Sequence, residues 1–216
     1  MKVWKVLVGA TGLMLAGQLA TAEAPKITAL ERSQGWRFLF DGESLSDWRG
    51  YRQNKVPANW QVVEGLLTCG GGPALATTGD FQDFEIVFDW KVGAGGGAEV
   101  FYRADEDIAA VDDSGLVMQL AGGEMGGNGG LNKPWREIKL QPDVWYRAKI
   151  SVFGYQVEHL INGDRILTYV IDSPGWRAAV AGSRYKALRE YGRLSSGRIV
   201  LSGHGVTFRN IKIRAL

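Results

Sequence analysis

From Trp60 onward, apolar and polar residues alternate in short runs, and glycines separate the runs. Side chains that alternate every second residue belong on half-buried strands. Trp60 to Thr68 reads as a hairpin turning at Glu64-Gly65, and Phe84 to Val92 reads as a strand with one buried face. Gly93 to Gly97 reads as a glycine turn, leading into a strand over Glu99 to Arg103; Leu116 to Leu120 continues the sheet. Trp145 to Phe153 and Tyr155 to Ile161 form a hairpin about Gly154, and Asn162-Gly163 marks a tight turn into Arg165 to Ile171. The last strands are Gly197 to Ser202 and Val206 to Arg214. Two stretches break the rhythm. Residues 104–114 hold five acids around an apolar patch and read as a solvated loop, because their spacing matches no calcium loop. Residues 174–196 open with Pro174-Gly175-Trp176 and read as a short helix or an ordered loop. Many short strands without intervening helices mean a sandwich or a barrel. The long alternating strands favour two packed sheets, one of them curved into a groove.

Composition narrows this picture. The chain has 216 residues, 30 of them glycine, with 45% hydrophobic and 22% charged side chains. That length and apolar content fit one folded domain and exclude a disordered chain. The formal charge of +2 lacks the basic excess of a nucleic-acid binder. Residues 1–22 read as a signal peptide: Lys2 and Lys5 precede the uncharged run Val6 to Ala16, and Ala20-Thr21-Ala22 supplies the cleavage site. The apolar run is too short to span a bilayer, so no stable membrane span remains after cleavage. Residues 23–35 then read as a linker and 36–216 as the domain, exported to the periplasm or beyond the cell. Cys69 is the single cysteine, which excludes an internal disulfide and reads as a buried thiol.

The residues capable of chemistry are few. No phosphate-binding glycine loop, nucleophile elbow or paired-histidine zinc helix is present. With only His159 and His204, a multi-histidine metal site cannot form, and no metal or cofactor is expected. His204 stands between glycines in Ser202-Gly203-His204-Gly205, where a proton-exchanging imidazole and a backbone-bonded turn histidine are both open. His159 lies inside a strand and reads as packing. Glu99 and Arg103 share strand parity around Phe101, and Gln119 reaches the same face from the next strand. A carboxylate, a guanidinium, an amide and exposed rings suit a polyhydroxylated ligand; an exposed ion pair fits equally. Trp48, Trp60, Trp90 and Trp145 read as core, whereas Trp135, in Asn132-Lys133-Pro134-Trp135, is a candidate sugar platform.

An ordered series of motifs resembles the 3-keto-disaccharide hydrolase domain family. It begins with Leu39-Phe40-Asp41-Gly42-Glu43-Ser44-Leu45-Ser46-Asp47-Trp48, followed by Trp60 with Val63-Glu64-Gly65. Asp83-Phe84-Glu85, Phe101-Tyr102-Arg103, Trp145-Tyr146 and His159-Leu160-Ile161-Asn162-Gly163 come next. Gly197-Arg198-Ile199, His204-Gly205 and Phe208-Arg209-Asn210-Ile211-Lys212-Ile213 close it. The resemblance implies an all-β, two-sheet concanavalin A-like jelly-roll sandwich that binds an oligosaccharide or glycoside and cleaves 3-keto-disaccharides. A ketone at C3 acidifies the C2 proton, so a base forms an enolate, the sugar at C1 leaves, and water adds to the alkene. His204 and Glu99 are the expected proton-transfer groups, Arg103 the stabiliser of the anionic oxygen, and Gln119, Lys133 and Trp135 the sugar-positioning residues. The chain departs from the family pattern at three places. It has Gly97-Ala98-Glu99 for Asn-Ser-Gly, Val117 for a glutamate, and Ser202-Gly203 for Gln-Asp. If the two strands are neighbours, Glu99 restores the carboxylate that Val117 lacks. A non-catalytic carbohydrate-binding module of the same fold is the alternative implied by those departures.

Overall fold

The computed structural model describes residues 26–188 and 191–216; the expected signal peptide lies outside them. In chain order the elements are α1 (Ala29–Ser33), β1 (Arg37–Phe40), β2 (Trp48–Gly50), β3 (Trp60–Val63), β4 (Leu66–Cys69), β5 (Leu75–Thr77) and β6 (Phe84–Ala104). After them come α2 (Val111–Ser114), β7 (Leu116–Ala121), β8 (Tyr146–Phe153), β9 (Gln156–Ile161), β10 (Asp164–Val170), α3 (Pro174–Ala181), a 3-10 turn (Arg184–Ala187) and β11 (Arg198–Ala215). Part of the expected linker is therefore helical. Thr28 and Glu31 form a reciprocal capping box on α1, and Glu31 reaches Lys212 at 2.6 Å.

Two long strands organise the molecule. β6 and β11 pair antiparallel along their whole length, from Phe84 opposite Ala215 to Ala104 opposite Arg198. The first half of β6 carries β8, then β9 and β10, while the partnering half of β11 carries β4 and β3, with β1 also on β11. The second half of β6 carries β7, and the facing half of β11 carries β5 and then β2. Every pairing is antiparallel. The two groups of strands pack against each other through buried side chains. Tyr102 of the second group touches His159 and Tyr169 of the first, and Trp90, Phe84, Phe88, Met118, Leu120 and Phe208 fill the same core. On the opposite face of the second group lies a smaller cluster of Phe101, Val117, Val200, Ala76 and Tyr51.

The glycine turn expected at 93–97 is not a reversal. β6 runs straight through it, and β11 likewise joins what reads as two strands. The glycines allow close approach instead: a Cβ on Gly96 would stand 2.9 Å from the carbonyl oxygen of His204 on the facing strand. The reversals at Glu64-Gly65 and Asn162-Gly163 are as read. Both residues of each pair have positive φ, at 50° and 77° and at 51° and 87°, which two-residue hairpins of this twist require. Residues 105–114 are tethered: Glu106 pairs with Arg49 and, at 3.1 Å, with Arg198, and the segment includes α2. Trp145 is not core. It lies on the outer face with the Arg209 guanidinium 4.0 Å from its ring centre.

Candidate functional site

Glu99, on the second half of β6, stands directly opposite Gln119 on β7 and Ser202 on β11. These three form one row across the sheet, on the face away from the main core. His204 reaches the same place by a different route. The register of β11 slips between His204 and Val206, and Gly205 takes a φ of 61°, a bulge that re-aims the histidine side chain. The imidazole then lies over Gly97, where a Cβ would stand 2.9 Å from its Cε1. Its Nε2 is 3.2 Å from the carbonyl oxygen of Gly95. A carbonyl only accepts, so Nε2 carries a hydrogen and bonds the backbone through it. One ring nitrogen is thus bonded to backbone, while the exposed ring also borders open space.

Glu99 and His204 face one hollow of about 410 Å³, walled by Gly71, Gly72, Gly97, Gly122, Gly203 and Ser202. Beneath it the Cys69 thiol donates to the carbonyl of Gly203 at 3.1 Å and accepts from the Gly71 amide at 3.4 Å, fastening two of the walls. Burial pushes the Glu99 carboxyl above the ordinary glutamate value, and the nearby charge of Asp112 adds to that; Arg184 and the Gln119 amide act against it. A carboxylate raised in this way is a stronger base than an ordinary glutamate. Among the described residues, no three His, Cys, Asp or Glu side chains converge on a possible metal position.

The other expected residues divide. Gln119 is in the row beside Glu99. Lys133 pairs with Glu124 at 3.2 Å and lines the adjoining hollow with Gly123, Pro134 and Arg136. Trp135 is exposed, lines neither hollow, and donates through Nε1 to the carbonyl of Arg165 at 3.0 Å. Arg103 does not share the Glu99 face. Its φ of 50° breaks the alternation, and its buried guanidinium bonds the carbonyls of Gln82 and Gly154 at 2.8 and 2.9 Å and the Asp83 carboxylate at 3.1 Å. Nε and Nη2 are thus both engaged by the surrounding structure. Two charged groups near Glu99 were not anticipated, Asp112 on α2 and Arg184 on the 3-10 turn. Asp112 sits in a segment read as a loop and Arg184 in one read as a short helix or an ordered loop, and no local pattern encodes where either segment lies in space.

His159 is buried, as read, and its bonds have a fixed direction. Nδ1 lies 2.8 Å from the carbonyl of Gly126 and Nε2 lies 2.8 Å from the Tyr102 hydroxyl. The carbonyl fixes the hydrogen on Nδ1, so Tyr102 donates to Nε2 and Tyr169, at 2.5 Å, donates to Tyr102. Burial lowers the imidazole to about 4. The relay grips the loop that supplies Gly122 to the site, because Gly126 and Gly127 exchange backbone bonds with Gln119.

Comparison with known proteins bears on what this arrangement serves. A sequence profile of the 3-keto-alpha-glucoside-1,2-lyase-like domain matches residues 35–214. The chain belongs to that family. A 3-keto-disaccharide hydrolase of Bacteroides thetaiotaomicron is 26% identical over 246 residues, spanning 92% of this chain and 84% of the relative. Among solved structures, a Parabacteroides distasonis protein named for an expected glycosyl hydrolase activity superposes with a TM-score of 0.84 at 24% identity, over 90% of this chain and all of that one. A carbohydrate-binding module of Bacillus subtilis superposes at 0.52 with 14% identity, over 78% and 96%. These two structures share the antiparallel β fold with the family member described here. The family's motif positions Asp83 and Arg103 form the buried ion pair, and Asn162-Gly163 forms the β9–β10 turn. Much of the recognisable pattern therefore serves the fold.

Proposed function

We propose that the protein cleaves the glycosidic bond of 3-keto-disaccharides or related glycosides by elimination and hydration. The observation that carries this reading is the convergence of Glu99 and His204, from neighbouring strands, on one glycine-walled hollow. In this scheme the Glu99 carboxylate removes the proton on the carbon beside the ketone. The C–H electron pair becomes an enolate, which re-forms the ketone as it expels the sugar oxygen at C1. His204, entering with a hydrogen on Nδ1 as well as on Nε2, passes the Nδ1 proton to that oxygen and then accepts one from the water that adds to the alkene. The proton captured by Glu99 exchanges with solvent as water enters, and Glu99 delivers the exchanged proton to the neighbouring carbon, so both groups end as they began. The Glu99 position, opposite Gln119, supports its standing in for the carboxylate that Val117 lacks. The same reading takes the two strand groups as the sheets of a concanavalin A-like jelly roll, and places the protein outside the cytoplasm after removal of residues 1–22.

The test is incubation of the purified mature protein with a 3-keto-disaccharide in deuterated water. The scheme requires release of the free sugar with deuterium at C2 of the keto product, and loss of both in Glu99→Gln and His204→Ala. Cleavage without deuterium at C2 would refute elimination. Binding by calorimetry with no cleavage would instead make this a carbohydrate-binding module, a role that the departures at Val117 and Ser202-Gly203 also fit.

A further inference from the structure

A second pocket lies on the other half of β6, on the face turned away from the core. Val87 is flanked there by Lys212 of β11 and Lys149 of β8, and Asp89 by Arg209 and Arg147. Asp89 is nearly buried and is shared by two cations, Arg147 at 2.7 Å and Arg209 at 3.4 Å. Glu85 is likewise shared by Lys149 and Arg214. Cations thus outnumber carboxylates on this face. The register of β11 slips between Arg209 and Lys212, with Asn210 at a φ of 53°, and the bulge brings Asn210 to Asp89, to which its Nδ2 donates at 2.8 Å. The segment carrying α1 meets these strands around a pocket of about 270 Å³. Val87 and Trp36 give it an apolar side, and Arg147, Lys212, Asn210 and Glu31 a polar one. With Lys26 also on the wall, positive charge exceeds the single carboxylate of Glu31. Arg147 directs Nε and Nη2 to Asp89, which leaves Nη1 without a partner among the described residues. Lys212 donates to Glu31 at 2.6 Å and has further hydrogens to give, while Asn210 Oδ1 has no donor among the described residues.

We propose that this pocket is a second carbohydrate site, which takes one uronic acid residue. The carboxylate goes to Arg147 Nη1 and Lys212 Nζ, a hydroxyl donates to Asn210 Oδ1, and the sugar ring lies against Trp36 and Val87. A neutral sugar would leave the excess positive charge unanswered. A bare anion such as phosphate would use the cations alone and leave the ring, the apolar floor and the amide acceptor idle. A sugar acid uses all of them. The volume falls below the roughly 300 to 1,000 Å³ of sites for drug-sized ligands, which suits a single sugar residue. No bond is made or broken here. The pocket stands on β8, the first half of β6 and the later part of β11, whereas Glu99 and His204 stand on the second half of β6 and the earlier part of β11. The two places therefore fill independently, and this assignment does not rest on the catalytic reading of the hollow. Occupied by one residue of an acidic polysaccharide, the pocket would hold the protein on that polymer while the hollow stays free.

The experiment titrates the purified mature protein with methyl β-glucuronide, methyl β-glucoside and inorganic phosphate, by calorimetry and by nitrogen-15 NMR of the Trp36 indole. The two glycosides differ only in carrying a carboxylate or a hydroxymethyl group on the ring. The glucuronide should bind at one site per chain, shift the Trp36 indole signal, and bind about tenfold or more tighter than the glucoside, the scale of a hydrogen bond to a charged group. Arg147→Gln and Lys212→Gln should each weaken it by about the same factor. Glu99→Gln should bind it as the wild type does. Arg147 and Lys212 also serve Asp89 and Glu31. Should either variant fail to fold, the Trp36 shift and the comparison of the two glycosides in the unaltered protein still decide the matter. Equal affinity for the glucoside, or no shift at Trp36, would overturn the proposal. So would phosphate that moves the Trp36 signal at equal or higher affinity, which would make the pocket a plain anion site. Loss of glucuronide binding in Glu99→Gln would place the sugar in the hollow and overturn it as well.

Discussion

His159 offers a measurement of how rigidly the core grips the site. The imidazole is fully buried, and its ordinary value of 6.5 falls to about 4 because burial disfavours the cation. Its two nitrogens also have no room for a second hydrogen, since Tyr102 already donates to Nε2. A base whose value is lower folded than unfolded gives stability that is complete above the unfolded value and lost as pH falls through the folded one. Between pH 8 and pH 4.5 the loss from this residue comes to about 2.5 kcal/mol, approaching about 3 kcal/mol in more acid solution. The clean comparison is His159→Gln, which offers one donor and one acceptor but does not titrate. Urea unfolding of both proteins should show the variant less stable at pH 8. The gap should then narrow by roughly 2.5 kcal/mol at pH 4.5, about 1 M in urea midpoint. Carboxylates such as Asp89 and Glu106, whose ion pairs hold them below their ordinary values, weaken both proteins alike and cancel in the difference. A gap that stays constant between pH 8 and 4.5 would mean that His159 is not held neutral, and the directed relay from Tyr169 to Gly126 would be wrong.

Two further outcomes follow from the same geometry. Gly97→Ala places a methyl where the His204 ring now lies, 2.9 Å from Cε1, and the exposed ring can yield; stability should stay within about 0.5 kcal/mol while kcat falls by roughly 10- to 100-fold. Equal kcat in Gly97→Ala would remove His204 from the reaction. Arg103→Ala strands the Gln82 and Gly154 carbonyls and the Asp83 carboxylate, so it should destabilise by about 3 to 5 kcal/mol, with the activity of the folded fraction retained at low temperature. Lost activity at unchanged stability would return Arg103 to the site.

What the sequence shows and hides follows from the range of the interactions involved. The hairpin turns at Glu64-Gly65 and Asn162-Gly163 are written in two adjacent residues, so they are legible locally. β1, β2 and β5 have only three or four residues and were not read as strands, since a period of two needs a longer run to stand out. The glycines at 93–97 were read as a reversal because close strand approach and a turn both call for a missing side chain. Only the pairing of Gly97 against His204, on a strand more than a hundred residues away, distinguishes the two. The site repeats this lesson at finer scale. Parity correctly joins Glu99 to Phe101 and, across the ladder, to Gln119, yet it fails at Arg103 because one residue at φ 50° reverses the alternation beyond it.

That failure has a physical consequence for the site. An arginine that remained in register would share the Glu99 face two rows along the strand, beyond Phe101, as a charge fixed to the ladder. The break at Arg103 sends that charge to Asp83 and leaves Glu99 with a cation on a separate segment, balanced by Asp112. A base must be ionised and yet hold a captured proton, which opposing influences serve better than one tight ion pair. Asp112 and Arg184 provide such opposition from outside the strand ladder, where neither alternation nor motif spacing fixes their position. Residues that hold the sheet together are bound to the periodicity of the strands. Residues that tune Glu99 act across space from α2 and the 3-10 turn, and their identities become meaningful only once the chain is folded.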